Sequence, residues 1–443
     1  MRLLLTGDLH IGRTSTRISA DRPLSERSAA GAWERIVRLA LRERCDAVLL
    51  SGDVADQDNR YWEAIGPLER GATELAEAGV AIVAVAGNHD HDVLPRLADR
   101  MPEGALTLLG REGVWERTTL RDREGRARMH VDGWSFRAAH EPADPLAHYE
   151  PVRSDDLPLL GLVHGDLNVA DSRYAPLRSD RLAHAGPDAW LLGHVHAPAL
   201  HDLGAGRWAL YPGSPQALDP GESGAHGVWL LELDGRTVPA PRPRPLSTVR
   251  YDALDVDLTD APGTELRARV EDAVRAAAAD RVEESGPELR QLLLRLRLTG
   301  ATPAADRVAA ETAGLSDGFE IRIGEATVRV DAVATETVPA IDLHAHAATQ
   351  GAPGVLARWL LRLEEDAEDG GTEAAARAAD TEADAAEEVD ALLRLARDAV
   401  SSVDRDRAFE GLDDAPPSDA ELRARLRSAA RALLRELLRE EAA

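Results

Sequence analysis

The stretch VAVAGNHDHD, residues 83–92, closes an apolar run with a glycine and then sets Asn88, His89, Asp90, His91 and Asp92 side by side. One Asn or Asp beside the glycine would serve a turn; two imidazoles and two carboxylates are more than a turn needs. The same pattern recurs along the chain. Asp8 and His10 follow RLLLT (2–6), Asp53 and Asp56 follow AVLL (47–50), His164 follows LLGLV (159–163), and His194 and His196 follow AWLL (189–192). A glycine marks each junction, in GDLH, SGDVAD, GNHD, HGD and GHVH. The set is rich in His and carboxylate and has no thiolate, which suits Mn²⁺, Fe or Zn²⁺ and argues against a Cys-type structural zinc site. It holds too many ligands for one ion. Two ions roughly 3.5–4 Å apart, bridged by a carboxylate, is the arrangement that hydrolyses phosphate esters. His91 and Asp92 fall outside this set and read as the first turn of the next helix.

The elements that must position these side chains alternate. Apolar strands at 2–6, 47–50 and within 78–86 are separated by helical patterns at 26–44 and near 60–78, which predicts parallel strands of an α/β sheet. Ligands of such sheets bind outside the carboxyl ends of the strands, where all five motifs fall. Further strands are predicted at 159–163, 189–192 and 227–233, and VPAPRPRPL (238–246) reads as a linker. Beyond it, strands at 249–258 and 290–298 flank a helix at 264–281, with more strands near 319–323 and 327–333. The expected division is 1–240, a small α+β domain at 247–345, and a helical, acidic region at 346–443. Within the last, 364–390 is acidic, alanine-rich low complexity, a solvated helix or a disordered linker. A strong helix is predicted over 418–440. Ser418 and Glu421 have capping-box spacing, and Leu422, Leu426, Ala429, Leu433 and Leu437 form an apolar stripe, widened by Ala430, Leu434 and Leu438. That stripe either packs on the chain's own helices at 355–363 or 389–400, or docks on a partner helix.

At 443 residues and 44% hydrophobic, the chain can bury large cores. The single cysteine, Cys45, excludes an intrachain disulfide and reads as a small buried hydrophobe, in keeping with a reducing cytoplasm. The apolar run after Met1 is too short for a signal peptide, and no stretch approaches a membrane span. All 52 basic residues are arginine, so the Gly-Lys-Ser/Thr of a P-loop ATPase is excluded. The net charge of −26 is uneven: residues 1–250 carry 29 Arg against 36 Asp and Glu, residues 251–443 carry 23 against 42. The N-terminal part is the better candidate to meet a polyanion.

D-x-H, G-D-x-x-D, G-N-H-D, a later H-G and G-H-x-H, in that order, resemble the calcineurin-like metallophosphoesterase superfamily. The stretches YPGSPQ (211–216) and GESGAHGVWLLEL (221–233) narrow the resemblance to SbcD-like DNA repair exonucleases. Between the two aspartates of GDVAD the chain lacks the bulky residue such nucleases carry. The resemblance implies a β-sheet sandwich flanked by helices, with a small α+β capping domain and a helical C-terminal tail. It implies that Asp8, His10, Asp53 and His196 hold one metal and Asp53, Asn88, His164 and His194 the other, most readily Mn²⁺. It further implies in-line attack on phosphorus, with His89 protonating the leaving oxygen or stabilising its charge and Asp90 orienting His89. Dimerisation and a separate SMC-like ATPase partner also follow from it. For DNA, Arg13 and Arg17 follow the Asp8–His10 turn directly and are the expected phosphate contacts; the arginines of 117–128 read equally as an exposed hairpin. The alternative is a metallophosphoesterase acting on small phosphodiesters or phosphomonoesters.

Overall fold

The computed structural model describes residues 1–56, 60–153, 155–368, 394 and 419–442. The chain forms two units, 1–300 with 307–337, and 301–306 with 338–443. The first contains β1 (Arg2–Thr6), β2 (Ala47–Leu50), β3 (Ala81–Ala84), β4 (Thr107–Leu108), β5 (Glu116–Arg121), β6 (Ala127–Trp134), β7 (Leu159–His164), β8 (Ala189–Gly193), β9 (Ala199–Gly204), β10 (Arg207–Tyr211), β11 (Gly227–Glu232) and β12 (Arg242–Pro245). They build two six-stranded sheets, in the orders β12-β11-β1-β2-β3-β4 and β5-β6-β7-β8-β10-β9. Strands β1 to β4 run parallel, as do β6, β7, β8 and β10; β11 and β12 extend the first sheet antiparallel beyond β1, and the second sheet has antiparallel edge strands in β5 and β9.

Alternation along each strand explains why the sequence shows continuous apolar runs instead of a polar–apolar pattern. Leu3, Leu5, Leu49 and Val83 of the first sheet share one apolar layer with Leu160, Leu162, Leu191, Trp208 and Leu210 of the second. The intervening Leu4, Val48, Leu50, Ile82 and Ala84 face a layer that includes Trp33, Ile36 and Val37 of the helix Ala29–Arg42 and Leu68, Ala72 and Leu75 of the helix Arg60–Glu77. The second sheet's other face buries Trp190, Leu192 and Tyr211 with Leu146 and Leu177. A strand covered on both sides needs apolar residues at every position. At ~1.5–3 kcal/mol per fully buried large side chain, this sandwich is the main stabilising term.

Two expectations change here. The five motif-bearing strands do not share one sheet: β1, β2 and β3 belong to the first, β7 and β8 to the second. The proline-rich segment is not simply a linker either, because Arg242–Pro245 is an edge strand paired antiparallel with β11. Proline cannot donate to a ladder, so an edge is where a strand of this composition can exist. Two further strands, β13 (Val249–Asp257) and β14 (Gln291–Thr299), join Ala326–Thr335 and Glu320–Ile323 in a four-stranded sheet of the same unit, next to the helix Leu266–Ser285.

In the second unit, Ala301–Thr302 pairs with Val338–Pro339, and helices follow at Leu343–Ala347, Ala352–Glu368 and Asp419–Ala442. Leu434 of the last helix is fully buried with Ala357 and Leu360, flanked by Ala430 and Leu438. The own-fold packing on 355–363 is therefore made by the widening residues of the stripe, whereas Leu433 and Ala429 are exposed. Residues 369–393, 395–418 and Ser418 in particular lie outside the described residues. Among the described residues no helix is long and apolar enough to cross a membrane.

Candidate metal centre

The carboxyl ends of β1, β2, β3, β7 and β8 open into the five loops that carry the motif residues. The backbone there is unusual: Asp8 (φ 49°), His10 (50°), Asp53 (49°) and His194 (100°) all occupy left-handed conformations. Non-glycine residues pay for that region, and such strain concentrates at functional sites. Two glycines allow the close approach. A Cβ on Gly52 would lie 2.5 Å from His164 Nδ1, and one on Gly87 would lie 2.2 Å from Asp53 Oδ1.

Two donor groups result. Ligand atoms of Asp8, His10 and His196 all come within 4.8 Å of one another, and so do those of Asp53, His164 and His194. In the first group His10 Nε2 is 3.0 Å from His196 Nε2. In the second, Asn88 Oδ1 lies 3.0 Å from His164 Nε2 and 3.1 Å from His194 Nδ1. Asp53 Oδ2 stands between them, 3.8 Å from His10 Nε2 and 3.4 Å from His164 Nε2. Asp8 Oδ2 is buried without a hydrogen-bond partner, although a buried carboxylate oxygen is costly to leave unpaired. Imidazole lone pairs, carboxylate oxygens and an amide oxygen aimed at two points fit two divalent cations of borderline hardness.

Outer partners settle which nitrogen of each imidazole faces inward. His164 Nδ1 is 2.9 Å from the Ser51 carbonyl, which can only accept, so the proton is on Nδ1 and Nε2 carries the lone pair. His196 Nδ1 donates to Glu222 Oε1 at 2.7 Å. His10 Nδ1 lies 3.3 Å from Asp56 Oδ1, and His194 Nε2 lies 3.4 Å from Asp166 Oδ1. Burial pushes Asp8 up to about 6, against the opposing pull of His196. Burial also works against ionising Asp53, but His164, His10 and His89 outweigh it and hold this carboxyl below its usual range. For His196, burial is overcome by the hydrogen bond to Glu222 and by Asp8, raising it to about 9. Burial lowers His164 and His194, which favours the neutral form of each.

His89 sits at the rim, its side chain 27% exposed, with Nδ1 3.6 Å from Asp56 Oδ1. The interaction with Asp56 raises its pKa above that of a free imidazole. Its ring meets His10 edge-on at 4.8 Å between centroids, and His10, Asp53 and His89 also form a group within ligand distance. Asp90 has a different place from the one expected. Its Oδ1 accepts from Gly87 N at 2.8 Å and its Oδ2 from Val54 N at 2.7 Å and Ala55 N at 3.3 Å. It therefore ties two of the motif loops together, and the carboxylate facing His89 Nδ1 is Asp56. Burial, followed by the neighbouring Asp53, raises Asp90 to about 7. His91 and Asp92 lie in the turn before the helix Leu94–Ala98, not in its first turn.

Sequence reasoning gives Asp56 no role and misses Asp166 and Glu222. The spacing G-D-x-x-D is a usable signal for Asp56; Glu222 lies in the stretch GESGAHGVWLLEL, but 26 residues beyond His196 its pairing with that histidine is not legible from spacing. Arg13 is half-exposed and 3.9 Å from Asp219, and Arg17 is exposed with φ 62°. The arm they belong to is anchored by Thr16 N to Leu218 O at 2.8 Å and by Arg22 Nη2 to Thr327 Oγ1 at 3.1 Å. In the β5–β6 hairpin, Arg117 pairs with Asp132, and Arg126 with Asp122 and Glu124. That matches the plain exposed-hairpin reading. A separate cavity of about 690 Å³ is lined by Trp115, Trp134 and Tyr149, away from the motif loops.

Residues 1–198 match the family model described as calcineurin-like phosphoesterase. The chain is 30% identical to the SbcD component of the nuclease SbcCD of Rhodobacter capsulatus over 379 residues, covering 74% of this chain and 87% of that protein. It belongs to the calcineurin-like phosphoesterase family, and its two sandwiched sheets are that family's fold. It is also 30% identical to the uncharacterized metallophosphoesterase YhaO of Bacillus subtilis, over 55% of this chain and 59% of YhaO. With the DNA double-strand break repair protein Mre11 of Methanopyrus kandleri it shares 27% identity, over 53% of this chain and 54% of that protein. The chain thus spans little more than half the length of YhaO and of this Mre11.

Proposed function

We propose that this protein is a two-metal DNA phosphodiester hydrolase, an SbcD-like exonuclease, working in the cytoplasm with a separate SMC-like ATPase and as a dimer. The observation that carries this reading is the pair of donor groups that share Asp53, with His89 on their open side. Asp8, His10, Asp53 and His196 hold one cation; Asp53, Asn88, His164 and His194 hold the other. When bound, two cations such as Mn²⁺ would polarise the phosphoryl oxygens and activate water for in-line attack.

The chain's own residues do the rest. Asp8 and Asp53 supply the negative charge that fixes the ions, and the neutral His164 and His194 keep their lone pairs available. His89 holds its Nδ1 toward Asp56 and turns Nε2 to the open side. The interaction with Asp56 raises the His89 pKa, which favours the protonated form that a proton donor needs. His89 lies within ligand distance, but it sits at the rim with Nδ1 toward Asp56 and its side chain 27% exposed, and it is assigned the donor role on that placement. Asp90 acts as a clamp between loops. Arg13 and Arg17 bind the DNA backbone beside the cleft. Similarity to the Rhodobacter SbcD nuclease and to Mre11 supports the choice of DNA over a small phosphodiester.

The test is cleavage of end-labelled single- and double-stranded DNA by the full chain with Mn²⁺, run beside a chromogenic phosphodiester. The reading requires Mn²⁺-dependent release from DNA ends. Turnover of the small ester with intact DNA would make the protein a small-molecule phosphodiesterase.

A further inference from the structure

The loop between β10 and β11 carries a carboxylate that the reaction as proposed leaves unused. Glu222 is 8% exposed and makes three hydrogen bonds. Oε1 accepts from His196 Nδ1 at 2.7 Å, while Oε2 accepts from Ser214 Oγ at 3.0 Å and from Leu218 N at 2.8 Å. Ser214 is itself fully buried and lies 3.1 Å from His226 Nδ1. The next turn of the loop is fixed to β13, where Gly224 N donates to Tyr251 O at 3.0 Å. A buried carboxylate is expensive unless hydrogen-bonded and matched by a charge. The serine and the amide hold it in one orientation, and the imidazole is what that orientation serves.

We infer that Glu222 is a positioning residue for one cation of the pair. It fixes the proton of His196 on Nδ1, so that Nε2 turns its lone pair toward His10 and Asp8. A neutral imidazole has one N–H and can rotate; with Glu222 in place both the tautomer and the ring angle are determined. The carboxylate also makes His196 the more basic ligand, as outer carboxylates do for metal-bound histidine. His196 belongs to one donor group only, so the effect falls on one ion. The other, held by Asp53, Asn88, His164 and His194, has its own outer partners in the Ser51 carbonyl and Asp166.

The inference rests on the two-metal reading, and the experiment separates the two. The full-length chain, stripped with a chelator, is titrated calorimetrically with Mn²⁺, and the loaded protein is examined by electron paramagnetic resonance for a spin-coupled pair. Wild type should bind two ions. Glu222→Ala should bind one ion as wild type does and the other ~10–100-fold more weakly, and at limiting Mn²⁺ the coupled signal should give way to that of isolated ions. Glu222→Gln keeps an oxygen for His196 Nδ1 but meets the Leu218 N–H with its own amide, so it should recover part of the affinity. Ser214→Ala, a milder change, should weaken the same ion less. Two ions bound with wild-type affinity by Glu222→Ala would overturn the inference and leave the metal centre standing, as would equal weakening of both ions. A wild-type chain that binds no Mn²⁺ overturns both.

Discussion

At Asp53 and His89, truncation should separate metal content from turnover. Asp53→Ala removes the carboxylate between the two donor groups and should empty the centre. His89→Ala should retain both ions while hydrolysis falls by ~10²–10⁴-fold, the contribution of a general acid. Metal analysis of the two purified variants checks this, and loss of both ions from His89→Ala would return that residue to the ligand set. A second histidine should report on pH. His226 is buried with Nε2 unpartnered, and burial lowers its pKa below that of a free imidazole. Its neutral form is favoured in the folded chain, so the stability tied to it is complete above about pH 6.5. Below that pH the unfolded chain takes a proton that the folded chain refuses, and stability falls until the lowered folded pKa is passed. Asn in its place keeps an N–H for Ser214 O, 2.8 Å from His226 Nδ1, and does not titrate. Metal-free melting curves from pH 8 to 5 should therefore fall more steeply for wild type than for His226→Asn.

The arm between β1 and the helix Ala29–Arg42 is held at its base by Thr16 and Arg22, while Arg13 and Arg17 remain half-exposed and exposed. Replacing both with Ala should weaken DNA binding and flatten its salt dependence by about 0.9 log units per lost contact on duplex. Hydrolysis of a small phosphodiester should stay near wild type; equal loss on both substrates would indicate a damaged centre. In the second unit, the helix Asp419–Ala442 covers Ala357 and Leu360 with Leu434. Leu434→Ala should destabilise that unit by about 2–5 kcal/mol, the usual cost of a buried Leu-to-Ala cavity. Chemical denaturation followed by circular dichroism measures it. An unchanged midpoint would mean that this face of the helix contributes little to its own unit and is open to a partner.

For the molecule as a whole, the centre joins strand ends from two different sheets. Neither sheet alone holds a complete donor group: Asp8 and His10 need His196, and Asn88 needs His164 and His194. A cation held by these donors should therefore bind the folded sandwich and not the unfolded chain. Each site should add about 2.7 kcal/mol of stability at a free Mn²⁺ concentration 100-fold over its Kd. Thermal melting with Mn²⁺ and with chelator should show a clear rise in wild type and little in Asp53→Ala.

The sequence by itself determined the chemistry and its address. Donor residues lie within a few positions of short apolar runs that end in glycine, and a strand buried on both faces leaves that signature locally. The resemblance of the five motifs, in order, then supplied the family. Tertiary structure decided what depends on partners far along the chain. Whether β7 and β8 share a sheet with β1 is a matter of pairing, which strand composition does not encode. The strand at 242–245 exists because an edge tolerates residues that cannot donate, so its prolines misled. The resemblance makes Asp90 the support of His89, yet its carboxylate is drawn to the N–H groups of Gly87, Val54 and Ala55, and Asp56 faces the imidazole instead. The inward nitrogen of each histidine is set by Ser51 O, Asp56, Asp166 or Glu222, through hydrogen bonds that form only when loops of both sheets meet.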